Sequence, residues 1–129
     1  MEGLSHSRSS SHFAAFHDDA EWTAPEGNAT AVALKGPSHM VGNQAIAMFL
    51  STTLHKLFQK IEIDIRGVFA DGETVIVEEH MRAEIPNGNT YNNDYCFVFE
   101  LKEGKIRRVR EYMDTLRGKE LILGPALGA

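Results

Sequence analysis

The side chains in this sequence that could do chemistry form none of the common local motifs. Cys96 is the only cysteine, so it cannot close a disulfide within the chain, and it is interpreted as a small apolar residue within a strand. His6 and His12 lack partners at metal-ligand spacing, and the sequence contains no phosphate-binding loop, nucleophile elbow or dinucleotide fingerprint. We therefore expect no metal and no cofactor, and any catalysis would use ordinary acid and base side chains.

Composition argues against several classes of partner. The 129 residues carry a formal net charge of −5, whereas nucleic-acid-binding proteins usually present a net basic face. The one basic cluster, Arg107, Arg108 and Arg110, is followed at once by Glu111 and Asp114 and is typical of a solvated strand face. No apolar run approaches the ~20 residues of a membrane span, and the first residues lack the apolar stretch of a signal peptide. We expect a cytoplasmic protein with no nucleic-acid and no membrane partner.

One strong helical pattern lies in the first half of the chain. Between about Val41 and Phe58, apolar residues recur at steps of three and four, which places them on one face of an amphipathic helix. Asn43 or Ser38 could cap its start. The apolar positions are Ala45, Ile46, Phe49, Leu50, Leu54, Leu57 and Phe58.

The second half alternates between apolar and polar residues, which is typical of a sheet. Ile61, Ile63 and Ile65 fall on one side of a half-buried strand. Turn-forming Gly pairs follow at intervals and predict a meander of four strands. The predicted strands are Ile61–Phe69, Thr74–Ile85, Thr90–Leu101 and Lys105–Thr115.

Three further segments carry weaker patterns. Ala20–Ala24 is predicted to form a short strand that Pro25 closes. Glu26–Pro37 consists mainly of small residues with no clear period, which predicts an irregular loop long enough to act as a lid or rim. Leu116–Leu123 is predicted to be a short edge segment of the sheet.

No internal repeat or linker divides the chain. We expect a mobile tail over residues 1–12, because this Ser- and His-rich segment has almost no apolar surface to bury. A single domain is predicted over residues 13–123, followed by a short stub over residues 124–129.

Three stretches of the sequence carry a family resemblance. Phe16–Pro25 contains Phe-His-Asp-Asp-Ala-Glu-Trp, and Gly42–Leu50 contains Gly-x-x-Ala-Ile-x-x-Phe-Leu. Tyr95–Thr115 contains Glu-Gly-Lys-Ile and, as the most specific part, Arg-Glu-Tyr-Met-Asp. Together they resemble the nuclear transport factor 2-like superfamily, and within it the SnoaL-like polyketide cyclases, limonene epoxide hydrolases and ketosteroid isomerase-like proteins.

The resemblance implies an α+β fold in which a curved antiparallel sheet, shaped as a cone, wraps around the amphipathic helix. The hollow of the cone would bind a small apolar molecule, and two cones would pack sheet to sheet as a homodimer. The superfamily carries many activities on this scaffold, so the likeness does not fix the reaction.

Two catalytic candidates follow from the same resemblance. Glu111 falls where the cyclases and hydrolases place a catalytic Asp that points into the cone, and burial in an apolar pocket raises a carboxyl pKa toward neutrality. The alternative for Glu111 is a salt bridge to Arg110 or Arg82 on a solvated face. His80 falls at the position of the hydrolase's second Asp and could exchange protons with a facing carboxylate near neutral pH. The alternative for His80 is a hydrogen-bonded histidine of the sheet.

Other positions depart from the relatives. Glu78 replaces the hydrolase's Arg and is expected to point inward with His80. Trp22 and Ala24 replace its water-holding Tyr and Asn, and Ala24 also lies near the position of the general base of ketosteroid isomerase. Because Trp22 and Ala24 cannot transfer protons, neither enzyme's own mechanism is expected, and Trp22 is either a pocket wall or core. The predicted pocket-lining residues are Trp22, Phe49, Glu78, Phe97 and Met113.

Two functions remain open from the sequence. The first is an acid–base enzyme without a cofactor, of the isomerase, cyclase or hydrolase type, acting on an apolar, carbonyl-bearing or polycyclic ligand. The second is a non-catalytic dimeric module that binds a ligand or acts as a scaffold. The two differ in whether Glu111 and His80 reach the same dry cavity.

Overall fold

The fold is α+β, with helices packed against a curved, six-stranded sheet that does not close. This computed structural model describes residues 13–127, so the predicted tail over residues 1–12 and the end of the predicted stub lie outside it. The strand order across the sheet is β2-β1-β6-β5-β4-β3. The strands are β1 (Phe16–Thr23), β2 (His39–Val41), β3 (Gln59–Asp71), β4 (Thr74–Glu84), β5 (Thr90–Lys102) and β6 (Lys105–Met113).

Strands β3 to β6 form the predicted antiparallel meander. The turns between them place Gly72, Gly88 and Gly104 at φ values of 60°, 90° and 79°, a region that glycine adopts without a side-chain clash. One pair departs from the predicted antiparallel sheet, because β1 runs parallel to β6. No short turn joins these two strands, so hairpin geometry does not restrict their relative direction.

The central helix begins at α2 (Asn43–Met48) and continues as a π-helical turn over Phe49–Thr53 and a 3-10 turn over Leu54–Lys56. Gly42 precedes it at a φ of 97° and donates its N–H to the carbonyl of Ala20, 2.8 Å away. This bond ties the start of the helix to β1. The amphipathic helix predicted over about Val41 to Phe58 is therefore present, with a modified second half.

Two helices occupy segments predicted to be non-helical. Helix α1 (Ala29–Leu34) lies inside the predicted loop, and the Asn28 side chain accepts a hydrogen bond from the N–H of Ala31 at 3.0 Å. Helix α3 (Thr115–Gly118) continues as a π-helical turn over Lys119–Leu123, in place of the predicted edge segment. Both predictions were wrong because the small and apolar residues of these segments show no amphipathic period, while the side chains of Asn28 and Asp114 cap the starts of the two helices.

The core consists of two clusters of buried apolar residues. One cluster joins β1 and β6 to α2, and the other joins β4 and β5 to the end of the central helix. Phe97 on β5 packs against both. No helix in the described part of the chain is both long and apolar enough to cross a membrane.

Candidate functional site

A cavity of about 350 Å³ lies between the inner face of the sheet, the central helix and α1. Its lining is mainly apolar, and the two carboxyl groups of Glu79 and Glu111 are the charged groups in it. No Lys, Arg or His side chain lines it. The lining residues include Trp22, Phe49, Glu79, Tyr95, Phe97 and Glu111.

Glu111 points into the cavity because of the register of β6. Val109, two residues earlier, is fully buried, and side chains two apart on a strand share a face. Glu111 lies opposite Phe97 of β5, and directly opposed residues of an antiparallel pair also share a face. The alternation of β6 therefore places this carboxyl on the inner side of the sheet.

The Glu111 carboxylate has one hydrogen-bond donor and no cationic partner among the described residues. The Trp22 indole Nε1–H donates to Glu111 Oε1 at 2.8 Å. Arg110 pairs with Glu100 on the outer face, and Arg82 lies 3.8 Å from Glu62. The alternative in which Glu111 pairs with either arginine is therefore not what the structure shows.

Burial raises the pKa of Glu111 to about 7. Removal from water disfavours the charged carboxylate, and the nearby charge of Glu79 acts in the same direction. The Trp22 hydrogen bond stabilises the carboxylate and partly offsets both effects. A carboxyl group with this pKa exists in both protonation states at neutral pH, so it can act as an acid or as a base.

Glu79 is a second inward-facing carboxyl group that the sequence analysis missed. It shares its side of β4 with Met81 and Ala83, which are both buried, and it lies opposite Tyr95 of β5. Partial burial raises its pKa. Within the described residues it has no hydrogen-bonding or ion-pairing partner for its side chain. The sequence did contain a sign of this position, because Glu79 is a charged residue among the apolar positions of a strand that alternates between apolar and polar residues.

A chain of buried hydrogen bonds ends at the cavity. Asn93 Nδ2 donates to the Tyr91 hydroxyl at 3.0 Å, and the hydroxyls of Tyr91 and Tyr95 lie 2.6 Å apart. Tyr91 is only 1% exposed, so its own proton needs an acceptor, and the oxygen of Tyr95 is within reach. Either hydroxyl can be the donor in this pair; with Tyr91 as the donor, the proton of Tyr95 is available to a ligand in the cavity. Burial raises the pKa of both hydroxyls, so both stay protonated at neutral pH.

The inward orientation expected of His80 and Glu78 is wrong. Both occupy the outer side of β4, because the inner side belongs to the odd-numbered residues from Glu79 onward. His80 Nδ1 lies 2.8 Å from Asp94 Oδ1, and its Nε2 lies 3.3 Å from Asn92 Oδ1. The hydrogen bond with His80 lowers the pKa of Asp94. His80 is thus a hydrogen-bonded histidine of the sheet, and it does not reach the cavity that contains Glu111.

The other candidates divide between the cavity and the core. Trp22, Phe49 and Phe97 line the cavity, whereas Met113 packs against the neighbouring cluster and borders a separate small gap. The ring of Phe97 meets Trp22 edge to face at 5.8 Å between centroids and stacks on Tyr95 at 5.7 Å. These aromatic contacts form a rigid wall beside Glu111.

The described residues hold no group of three or more His, Cys, Asp or Glu side chains that could bind a metal ion. The cavity brings together two carboxyl groups, the Tyr95 hydroxyl and the smaller polar side chains of Asn28, Thr30 and Ser38. Within an apolar wall, such groups can transfer a proton and stabilise a developing oxyanion.

Solved structures of low sequence identity share this fold. A candidate isomerase from Bacillus subtilis superposes with a TM-score of 0.73 at 22% identity, over 96% of this chain and 87% of that one. A candidate SnoaL-like polyketide cyclase from Jannaschia sp. CCS1 gives 0.74 at 16% identity, over 91% and 79%. An LEH-like epoxide hydrolase from Mycobacterium tuberculosis gives 0.67 at 23% identity, over 93% and 80%. At these identities the likeness shows the fold alone.

The sequence itself gives the family. Among curated proteins none matches this chain. The profile of the SnoaL-like domain family, in contrast, matches residues 2–109, which is most of the sequence. The resemblance to SnoaL-like proteins inferred from the three short stretches is thereby confirmed, and this chain belongs to the SnoaL-like domain family.

Proposed function

We propose that this protein is an enzyme that moves a proton on an apolar, carbonyl-bearing molecule held in the cavity, with Glu111 as the acid and base. One observation carries the proposal: a carboxyl group with a pKa of about 7 faces an apolar cavity of about 350 Å³. A base is most effective when its pKa lies near the working pH, and burial achieves that match here.

The proposed reaction passes through an enolate. The Glu111 carboxylate removes a proton from the carbon next to the carbonyl group, and the C–H electron pair becomes part of a C=C bond. The carbonyl oxygen takes up the negative charge and accepts a hydrogen bond from Tyr95. Protonated Glu111 then returns the proton to the same carbon or to another one, which leaves the enzyme unchanged.

With Tyr91 as the donor to Tyr95, the hydrogen-bond chain that starts at Asn93 supports this role for Tyr95. Each donor in a chain of hydrogen bonds polarises the next, so the last hydroxyl is a stronger donor than an isolated tyrosine. Because the donor is already oriented, little reorganisation is needed when charge develops on the substrate oxygen. The apolar wall strengthens the interaction because it keeps water away from the reacting atoms.

Deuterium exchange into 1-tetralone tests the proposal. This flat ketone carries exchangeable protons next to its carbonyl group, and the rate of exchange in D2O is followed by proton NMR. We expect the native protein to accelerate exchange, with a rate that rises with pH about a midpoint near 7 as Glu111 ionises. Glu111→Gln should lower the protein-dependent rate by roughly 10²-fold or more, and Tyr95→Phe by roughly 10²-fold.

Glu78→Gln is the matched control, because it removes the same charge from the outer side of β4 and should leave the exchange rate unchanged. Exchange that persists in Glu111→Gln would exclude this carboxyl as the base. If 1-tetralone perturbs the spectrum of the protein but no exchange occurs, the protein is instead a non-catalytic binding module.

We further propose that two copies associate through the outer face of the sheet, as the family resemblance implies. Phe69 is 57% exposed, and its ring lies over Gly67, where a Cβ atom would be 2.8 Å from the ring. Ile76 and Val98 continue the same face across β4 and β5. A second copy would remove this apolar surface from water.

A further inference from the structure

The charged side chains that line the cavity all have the same sign. Its two charged side chains are Glu79 and Glu111, which are both acidic, and no basic side chain lines it. Arg108 and Arg110 of β6 point away from the cavity, since they pair with Glu100 on the outer face. The cavity therefore presents negative charge that the described residues do not neutralise.

Glu79 is the less satisfied of the two carboxyl groups. Glu111 has the indole N–H of Trp22, whereas Glu79 has no partner among the described residues. Its neighbours across the sheet are Ile65 of β3 and Tyr95 of β5, and neither provides a positive charge. A partly buried carboxylate without a partner is costly, and a cation in the cavity would remove that cost.

The aromatic wall favours the same kind of ligand. Trp22, Tyr95 and Phe97 border the cavity together, and the electron-rich faces of aromatic rings attract organic cations. Alkylammonium groups combine a positive charge with an apolar surface, so they suit a site made of carboxylates and aromatic rings better than a small hydrated ion does.

We propose that the molecule bound here is a flat apolar amine, with its ammonium group beside Glu79 and its reacting carbonyl between Glu111 and Tyr95. This assignment rests on the proposed function and adds the charge of the substrate to it. Glu79 is then a specificity-determining residue, and neutral molecules of the same shape bind more weakly.

Three probes of equal ring size test the assignment: 1-naphthylmethylamine, 1-naphthylmethanol and 1-naphthoic acid. Titration calorimetry at pH 8 compares a cation, a neutral molecule and an anion in the same cavity. We expect the amine to bind roughly tenfold more tightly than the alcohol, and the acid to bind most weakly. Glu79→Gln should bring the affinity for the amine close to that for the alcohol.

Glu78→Gln removes the same charge one residue away on the outer face, and it should keep the preference for the amine. Equal affinities of the amine and the alcohol for the native protein would overturn the assignment and leave the proposed function standing. If Glu79→Gln and Glu78→Gln lost the preference for the amine over the alcohol equally, the preference would depend only on the net charge of the protein. That result would also overturn the assignment. Failure of all three probes to bind would contradict the proposed function itself.

Discussion

At the scale of single residues, the balance around Glu111 decides its chemistry. A carboxylate that accepts several N–H bonds has a low pKa even when buried, because those bonds stabilise its charge. Glu111 accepts one such bond, from Trp22, and the removal of water outweighs it. A single donor therefore fixes the orientation of the carboxyl group without making it a permanent anion.

The raised pKa of Glu111 predicts how stability depends on pH. Above pH 4.5 this carboxyl ionises in the unfolded chain, while the folded protein holds the proton up to about pH 7. The folded state then binds more protons, so its free energy of unfolding falls as the pH rises through this window. Urea denaturation between pH 4.5 and 8 should show a decrease roughly 2–3 kcal/mol larger in the native protein than in Glu111→Gln.

The Glu103→Gln variant provides the reference for this comparison, because Glu103 is exposed in the turn between β5 and β6, away from the cavity and from the proposed dimer face. Its stability should follow the native curve across the same pH range. Parallel curves for the native protein and Glu111→Gln would mean that the Glu111 carboxyl titrates as it does in water.

At the scale of elements, the site depends on alternation in the strands and on one helix that covers them. Strands β4, β5 and β6 each turn every second residue inward, which brings Glu79, Tyr95 and Glu111 to one cavity although they lie far apart in sequence. Helix α2 anchors the cover through Ile46, which is fully buried against β1 and β6. The π-helical turn that follows places Phe49 over the hollow.

This anchoring role predicts different outcomes for two neighbouring positions of α2. Ile46→Ala should destabilise the fold by about 2–4 kcal/mol, because it removes fully buried methyl groups and leaves a void. Met48→Ala, at a position that is 58% exposed, should change stability by less than about 1 kcal/mol. Urea midpoints of the two variants measure the difference. Similar losses at both positions would contradict the anchoring role of Ile46, because alanine is the better helix former at both.

At the scale of the whole molecule, the sheet separates two surfaces with different tasks. The inner face encloses the cavity between the two core clusters, and the outer face leaves apolar side chains in contact with water. Residues one apart on the same strand therefore serve different tasks, as Glu78 and Glu79 do on β4. Charge placed on the outer face should affect assembly without entering the cavity.

The proposed dimer gives a prediction at this scale. Sedimentation equilibrium of the native chain should give twice the mass of the chain, and Phe69→Glu should shift it to the monomer, because the new charge would be buried between the sheets. Val32→Glu is the control, since Val32 on α1 is similarly exposed, at 51%, but lies away from the outer face. A native chain that remains monomeric, or equal dissociation in both variants, would contradict the sheet-to-sheet dimer.

Local periodicity explains which parts of the fold could be predicted. The helical steps around Ile46, the alternation from Ile61 and the glycines at the turns are short-range signals, and the corresponding elements are present. Helices α1 and α3 were missed because their start depends on capping by Asn28 and Asp114 and not on an apolar period. Their formation also requires the neighbours against which they pack.

The sequence by itself determined the family, the meander and its covering helix, because these follow from motifs and from the spacing of apolar residues along the chain. Only the tertiary structure decided which face of β4 is inner, and thus that Glu79 and not His80 shares the cavity with Glu111. Its alternation favours the side of Glu79, which is otherwise apolar, whereas the resemblance to the hydrolase favours the side of His80, so the sequence leaves two inner faces open. The neighbouring strands and the helix resolve the ambiguity, because burying one face of the curved sheet fixes the direction of every side chain on it.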